Sequence, residues 1–445
     1  MGEFIFIFFA LIFFGGIIRS TGVTRLLWFF AGILFFQDRI ILFESPILMN
    51  FSRFLIYSLL IAELTQPKKL YYELQHFPLI RPLMVIFIGI LCIGMLDNRH
   101  GLFLNLYRST DEFIQTFFIL FLCYVNFKRS SDWEKLIKFF LISSIILCIY
   151  GFLNYLIKAN PLDNFISKTY NSFSYFDQYA LGNGRFRINS FVSHPIYYGY
   201  LLGILLLLCF YSFFFKGNLK KLCLITMPLI FMNLILANSR TPMIAFVVGL
   251  FIFIVIALKT IVKIRLLIYG TLFCLAIYNI PFIQEKIDNT IDIFKTGGEK
   301  TEGSNLAMRT IQLNASYGEF LKKPFSGNGL YYITENLIWS NNPENSVSDD
   351  DFQGFESYIY QLLIEQGLIG IITNAIFFIS IIRYFLIRRL VQKEFSALGL
   401  AIILMFLTFI IGTGTLNSWV ISMGLTGILI KIKYLELRQL ELSHT

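Results

Sequence analysis

The 445-residue chain is 56% hydrophobic and only 15% charged, with a mean hydropathy of +0.68. A soluble globular protein carries roughly a quarter charged residues, and no water-soluble core of this length would bury fifty Phe and 23 Tyr. That excludes a soluble enzyme or binding module and predicts an all-α polytopic membrane protein, while a net charge of +9 spread in small groups between apolar runs excludes a nucleic-acid-binding patch.

A bilayer core takes roughly 20 apolar residues per helix. In chain order the candidate spans are 3–18, 22–43, 47–64, 79–96, 111–127, 135–157, 191–215, 219–237, 241–258, 261–280, 357–387, 395–412 and 413–431. The early ones are interrupted by Asp38, Glu44 and Arg53, and only the turn Gly412–Gly414 separates the last two. The expected architecture is one integral membrane domain over 1–445 with about 12–13 transmembrane helices. The first segment lacks the basic region and small-residue cleavage site of a signal peptide and is expected to stay. All six cysteines lie in apolar segments, without CxxC or zinc spacing.

Lys and Arg set the orientation. More than half of the 37 fall on one set of alternate connections, at 19–25, 68–81, 128–138, 216–221, 259–265, 383–393 and 431–438. That set is expected to be cytoplasmic, which leaves two long external loops, 158–190 and 281–356. The second is long enough to be functional and to carry short helices. No P-loop, dinucleotide fingerprint or transporter-type repeat occurs, so ATP and NAD chemistry are unsupported.

Three clusters at the external ends carry candidate chemistry. In GRFRINSFVSHPIYYG, residues 184–199, Arg185 and Arg187 precede His194-Pro195, the start of a long helix. Two arginines beside a helix N-terminus form an anion site; the plainer reading is a helix start with snorkelling arginines. In ANSRTPM, residues 237–243, Arg240 occupies a short external turn, against the charge bias and near hydrocarbon, where an arginine is expensive. Snorkelling to lipid phosphate is again the plainer reading. In the large loop come Arg309, the turn Pro324-Phe-Ser-Gly-Asn-Gly329 and Glu356-Ser-Tyr358, followed by Glu365-Gln-Gly-Leu-Ile-Gly370. Glu356 suits a helix N-terminus, as a cap or as a base. Glu365, two turns deeper, is costly unless paired or functional. The run Asp349–Asp351 is read as solvated in preference to a cation site. His194, the one histidine in these clusters, suffices for a base or a hydrogen-bond donor but not for a metal site. Arginines and one carboxylate on the outer face suit a glycosyltransferase with a lipid-diphosphate sugar donor. A flippase or a scaffold protein are the rival classes; a flippase should carry its cations in a central cavity.

The ordered set from about 180 to 370 resembles the O-antigen polymerase and O-antigen ligase superfamily. Arg187 to Gly199 is similar to its Arg-Ile-x-Gly-Thr-Phe-x-His-Pro-Asn-x-x-Gly pattern, with Asn189-Ser190 for Gly-Thr and Ile196 for Asn. Ser239-Arg240-Thr241 is similar to its Ser-Arg-Thr turn, and Arg309, Pro324–Gly329, Ser357-Tyr358 and Glu365-x-Gly367-Leu-Ile-Gly370 follow the order of its large loop. Ligases carry a histidine where this chain has Glu356, so the resemblance favours the polymerase branch and keeps the ligase as the alternative. It implies Glu356 as catalytic base and Arg187, Arg240, Arg309 and Arg185 as diphosphate-binding residues. His194, Tyr198, Tyr358 and Glu365 are further candidates. It also implies no cofactor or metal, and an inverting transfer between polyprenyl (undecaprenyl) diphosphate-linked oligosaccharides. Membrane lipid, a chain-length regulator and a flippase are the implied partners, and the implied location is the bacterial inner membrane with the site facing the periplasm or exterior.

Overall fold

The computed structural model describes residues 2–43, 49–170, 186–279, 284, 306–338, 357–387, 393–414 and 418–443. The chain is almost wholly helical. The first part holds α1 (Gly2–Arg19), α2 (Val23–Phe35), the two-residue to three-residue strands β1 (Ile41–Phe43) and β2 (Met49–Asn50), then α3 (Phe51–Leu64) and α4 (Pro67–Gln75). Next come α5 (Ile80–Leu96), α6 (Leu102–Phe113), α7 (Ile119–Asn126), α8 (Asp132–Ile157) and α9 (Pro161–Thr169). The remainder is α10 (Pro195–Phe215), α11 (Lys220–Leu236), α12 (Arg240–Ala257), α13 (Thr260–Tyr278), α14 (Leu306–Lys322), α15 (Tyr358–Ile387), α16 (Lys393–Thr413) and α17 (Ser418–Ser443).

Among the described residues six helices are long and apolar enough to cross a bilayer outright: α8, α10, the rod Gly217–Leu236 ending in α11, α12, α15 and α16. Of the other predicted spans, those at α2, α3 and α5 form helices of 13, 14 and 17 residues, and α1, α13 and α17 run to 18, 19 and 26 residues. The candidate 22–43 stops at Phe35, because Gln37-Asp38-Arg39 cannot continue an apolar face. The chain turns there into the antiparallel pair Ile41↔Asn50 and Phe43↔Met49, and Asn50 then caps α3 by accepting from the Arg53 N–H at 2.8 Å. The candidate 111–127 belongs to a continuous rod, α6 to α7, joined by a π-turn at Ile114–Phe118. Helix α4 lies bent by 105° from α5.

The bundle is packed through small residues, as lipid-embedded helices require, because burial against lipid tails adds no driving force. A Cβ on Gly203 would lie 2.5 Å from Met405 Cε, and one on Gly249 would lie 3.0 Å from Met405 Cβ and 3.1 Å from the Ala401 carbonyl. Helices α12 and α16 therefore approach to backbone contact, and the Met405 side chain fits against the bare backbone of α10 at Gly203.

The two ends of the bundle differ chemically. At one end Arg25 pairs with Glu63, which also takes Lys69 at 2.8 Å, and Lys431 pairs with Glu73 at 2.6 Å. These bases belong to the set expected to be cytoplasmic. At the opposite end Arg39 pairs with Asp163 at 2.8 Å, and Gln37 donates to the Val192 carbonyl at 3.3 Å. Of the predicted site residues, Arg187 and His194 lie on the described segment that carries Val192.

Candidate active site

Helix α10 begins where the sequence reading placed it. Pro195 occupies its first turn, where a missing N–H costs nothing, and His194 is the N-cap, its Nδ1 accepting from the Ile196 N–H at 3.1 Å. That bond fixes the neutral tautomer with the proton on Nε2. Burial, with the positive charge of Arg187 added, pushes the His194 pKa down to about 4. His194 is thus a neutral donor at cellular pH and a poor base. The segment before it is anchored by Asn160, whose amide donates to Asn189 Oδ1 at 2.7 Å and to the Ser190 carbonyl at 2.8 Å. Arg187 sits half-buried beside this anchor.

Tyr198 lies fully buried one turn into α10, within hydrogen-bond reach of Asn233 Oδ1 at 3.0 Å and the Leu147 carbonyl at 3.2 Å. It ties α10 to α8 and α11. Opposite it a Cβ on Gly151 would meet Asn233 Oδ1 at 2.5 Å and Tyr198 Oη at 2.7 Å.

Arg240 is the first residue of α12, after a three-residue turn, Ala237–Ser239. A cation at a helix N-terminus opposes the macrodipole, so the position suits an arginine that shares a negative ligand with the helix amides. The turn packs on α10: a Cβ on Gly199 would lie 3.2 Å from Pro242 and 3.7 Å from Ser239 Cβ. The His-Pro segment and the Ser-Arg-Thr turn are therefore neighbours in space.

Gly412, near the end of α16, brings in the third cluster. The Arg309 guanidinium donates to the Gly412 carbonyl at 2.8 Å, and a Cβ on Gly412 would sit 2.5 Å from Thr241 Cγ2. Arg309 and the Arg240 turn thus meet across one backbone position. Ser357 lies close by, its N 3.9 Å from where a Cβ on Gly414 would be. Glu356, Arg185 and Asp349–Asp351 lie outside the described residues.

The rest of the large-loop cluster has a different job. Helix α15 is broken at Gly367, φ 58° and ψ −152°, which frees backbone groups on both sides. The Pro324–Gly329 turn takes them up. Leu368 N donates to the Pro324 carbonyl at 2.9 Å and Ile369 N to that of Phe325 at 3.1 Å. In return Asn328 N donates to the Ile364 carbonyl at 2.8 Å and Gly329 N to that of Glu365 at 3.0 Å. The buried Glu365 carboxylate accepts from Ile333 N and from the Gln361 amide, both at 3.2 Å. Tyr358 donates to Asn374 at 3.1 Å and packs edge-on against Trp419. In these positions Glu365 and Tyr358 hold the loop and helix in place.

Sequence reasoning missed the clamp on the far side of this loop. Glu335 accepts from Arg99 at 3.2 Å, Arg108 at 2.8 Å and His100 at 3.0 Å, and Arg99 also holds Asp97 at 2.8 Å and the Leu330 carbonyl at 2.7 Å. Burial alone would raise the Glu335 pKa; the hydrogen bonds from His100 and Arg108 outweigh it and hold the carboxyl below its usual range. The one signal available was the charged stretch Asp97-Asn-Arg-His100 directly after a predicted span.

Residues 225–375 match the family model described as O-antigen ligase. Over that segment the chain is similar to the O-antigen polymerase and ligase superfamily. The matched third of the chain includes Arg240, Arg309, Glu356, Tyr358 and Glu365, and begins after Arg187 and His194. With six helices among the described residues able to cross a bilayer, it is a multi-pass membrane protein. A comparison with curated proteins finds no match.

Proposed function

We propose that the protein polymerises a surface polysaccharide, moving a glycan from a polyprenyl diphosphate donor to a lipid-linked repeat unit on the external face of the bacterial cytoplasmic membrane. The observation that carries this reading is the junction at Gly412, where Arg309 and the Arg240 turn meet beside the start of α10. Arginine charge gathered at the bundle end opposite Arg25, Lys69 and Lys431 suits a site for an anion presented from outside. A flippase would need the same charge within a central passage.

Arg187, Arg240 and Arg309 bind the diphosphate and neutralise the charge it gains on leaving. The amides of the first turn of α12 add their dipole, and His194, neutral with its proton on Nε2, donates a hydrogen bond to the same group. Glu356, one residue from Ser357 at the Gly414 corner, accepts the proton of the acceptor hydroxyl as it attacks the anomeric carbon. One displacement inverts that centre. With the leaving group held by guanidinium groups, the scheme calls for neither a general acid nor a metal. A carboxylate at 356, in place of the ligases' histidine, favours the polymerase over the ligase.

Deleting the gene and resolving the surface glycan on a gel tests the reading. Glycan capped with single repeat units is expected. Free lipid-linked polymer would establish a ligase instead, and loss of all external glycan with precursor retained in the cytoplasm would establish a flippase.

A further inference from the structure

Helix α4 is a strap between two apolar helices. Thr65 and Gln66 join it to the end of α3, and the short link His76–Leu79 joins it to the start of α5. It is bent by 105° from α5, so where α5 enters the bilayer α4 lies close to the membrane plane. Its neighbours hold it at the depth of the headgroups: Ile61 and Leu64, at the end of α3, are exposed apolar residues, and Ile80 opens the apolar run of α5. Pro67 starts α4 at a position where its missing N–H costs nothing.

No residue of α4 is buried, yet its two faces differ. Leu70 and Leu74, one turn apart, pack on the core of the bundle. Glu73 pairs with Lys431 of α17 at 2.6 Å, and Lys69 pairs with Glu63 of α3 at 2.8 Å. The outward face carries Lys68, Tyr71, Tyr72 and Gln75, all exposed, and no carboxylate. Arg81, exposed in the first turn of α5, adds charge beside it, as does Arg438, exposed two turns after Lys431 along the same face of α17. Glu63 and Glu73 are already matched by Arg25, Lys69 and Lys431. What remains outward is cationic and aromatic.

Tyrosine favours the membrane–water interface, where its ring meets acyl chains and its hydroxyl meets headgroups. Lysine and arginine at that depth attract anionic lipids, and a short helix in the interface plane that carries both binds a lipid surface. We propose that the outward face of α4, with Arg81 and Arg438, binds anionic phospholipid headgroups of the adjoining leaflet. Lys68 and Arg81 take the phosphate, and the rings of Tyr71 and Tyr72 lie at the top of the acyl chains. The bases at this end belong to the set expected to be cytoplasmic, so the leaflet is the inner one. The contact is independent of the transfer reaction proposed for the opposite end.

The test uses full-length protein purified in a nonionic detergent and mixed with phosphatidylglycerol or phosphatidylcholine of the same acyl chains, with bound lipid counted by native mass spectrometry. Wild type is expected to retain phosphatidylglycerol in preference, and the preference to fade as salt is raised. A base beside an anionic surface changes affinity about fivefold, so the double variant Lys68→Gln, Arg81→Gln is expected to bind phosphatidylglycerol about tenfold or more weakly, with phosphatidylcholine unchanged. Both side chains are exposed, so its melting temperature without lipid is expected to match wild type. The control Lys220→Gln, Lys221→Gln removes two exposed bases from the start of α11 at the same end and is expected to leave binding unchanged. Equal retention of the two lipids by wild type overturns the proposal, as does equal phosphatidylglycerol binding by wild type and the Lys68/Arg81 variant. An equal loss in the Lys220/Lys221 control overturns it too, because the effect then belongs to net charge and not to α4.

Discussion

Gly327 and Gly367 face each other across the broken helix α15, so closely that a Cβ on Gly367 would lie 2.5 Å from the Gly327 backbone nitrogen, while a Cβ on Gly327 would overlap the Glu365–Gln366 peptide. Both have positive φ, 68° and 58°. The contact lets the Pro324–Gly329 turn pair with the break in α15. It fixes the far end of the segment that begins with Arg309.

Alanine at either glycine is therefore expected to disrupt the loop. The left-handed backbone costs an L-residue about 1–2 kcal/mol, and here backbone, not a flexible side chain, blocks the new methyl. Gly367→Ala and Gly327→Ala should lower the melting temperature in detergent and abolish polymer together. Gly318→Ala, with nothing within 4 Å of its Cβ on the same loop's helix, should leave both unchanged. Equal melting of all three proteins would remove the pairing from the account.

Hydropathy made the membrane class and the helix positions legible, and the cost of arginine near hydrocarbon singled out Arg240. The meeting of Arg309 with the Arg240 turn was not legible, because it passes through the Gly412 carbonyl, which carries no residue-type signature. Glu365 stood out as an expensive buried carboxylate, but its partner, the Ile333 N–H, is a backbone group 32 positions away. The clamp at Glu335 joins residues 235 apart in sequence, His100 among them. Helix α2 ends at Phe35, where Gln37-Asp38-Arg39 breaks the apolar face; that Gln37 then meets the Val192 carbonyl and Arg39 meets Asp163 are tertiary contacts that hydropathy does not encode.

That clamp gives a second test. Glu335→Gln removes the charge that Arg99, His100 and Arg108 share. Hydrogen bonds to charged groups contribute about 1.5–3 kcal/mol where they are partly shielded, so the variant should be nicked faster by protease within 306–338 and melt lower. Since the folded carboxyl titrates below its usual range, the contribution is present at neutral pH. It is lost only as pH falls through that depressed value. Unchanged proteolysis in the Gln variant would make the clamp incidental.

His194 predicts a different acid response. Its folded pKa of about 4 lies below the ordinary 6.5, so the unfolded chain takes up a proton first. Stability from this group is complete above pH 6.5 and declines as pH falls from 6.5 towards 4. His194→Asn retains an N-cap oxygen without the titration. Its melting temperature should change less than that of wild type across this window. Parallel curves would show that the imidazole is not held neutral.

The arginines should not tolerate lysine. An ammonium cannot reproduce the two-pronged guanidinium contact with phosphate oxygens, so Arg240→Lys is expected to lose most polymer at normal membrane abundance. Arg309→Lys should lose activity and also loosen the Gly412 junction, which would show as a lower melting temperature. Full activity in Arg240→Lys would reduce Arg240 to a snorkelling residue.

Glu356 separates base from cap. Glutamine is nearly isosteric, and losing one cap costs only about 0.5–2 kcal/mol, so Glu356→Gln in a merely capping role would leave a folded, active enzyme. A base, in contrast, must take a proton, and an amide cannot. Glu356→Gln is expected to abolish polymer while a labelled polyprenyl diphosphate still binds, and Glu356→Asp to keep part of the rate where the acceptor hydroxyl can follow the shorter carboxylate. Purified enzyme is also expected to run in EDTA, because guanidinium groups supply the positive charge. If EDTA stops it and magnesium restores it, the acidic run at Asp349–Asp351 becomes the better seat of the chemistry. Wild-type turnover in Glu356→Gln would remove the base from this position altogether, and His194, already spent as a cap and held neutral, could replace it only by giving up the bond to Ile196.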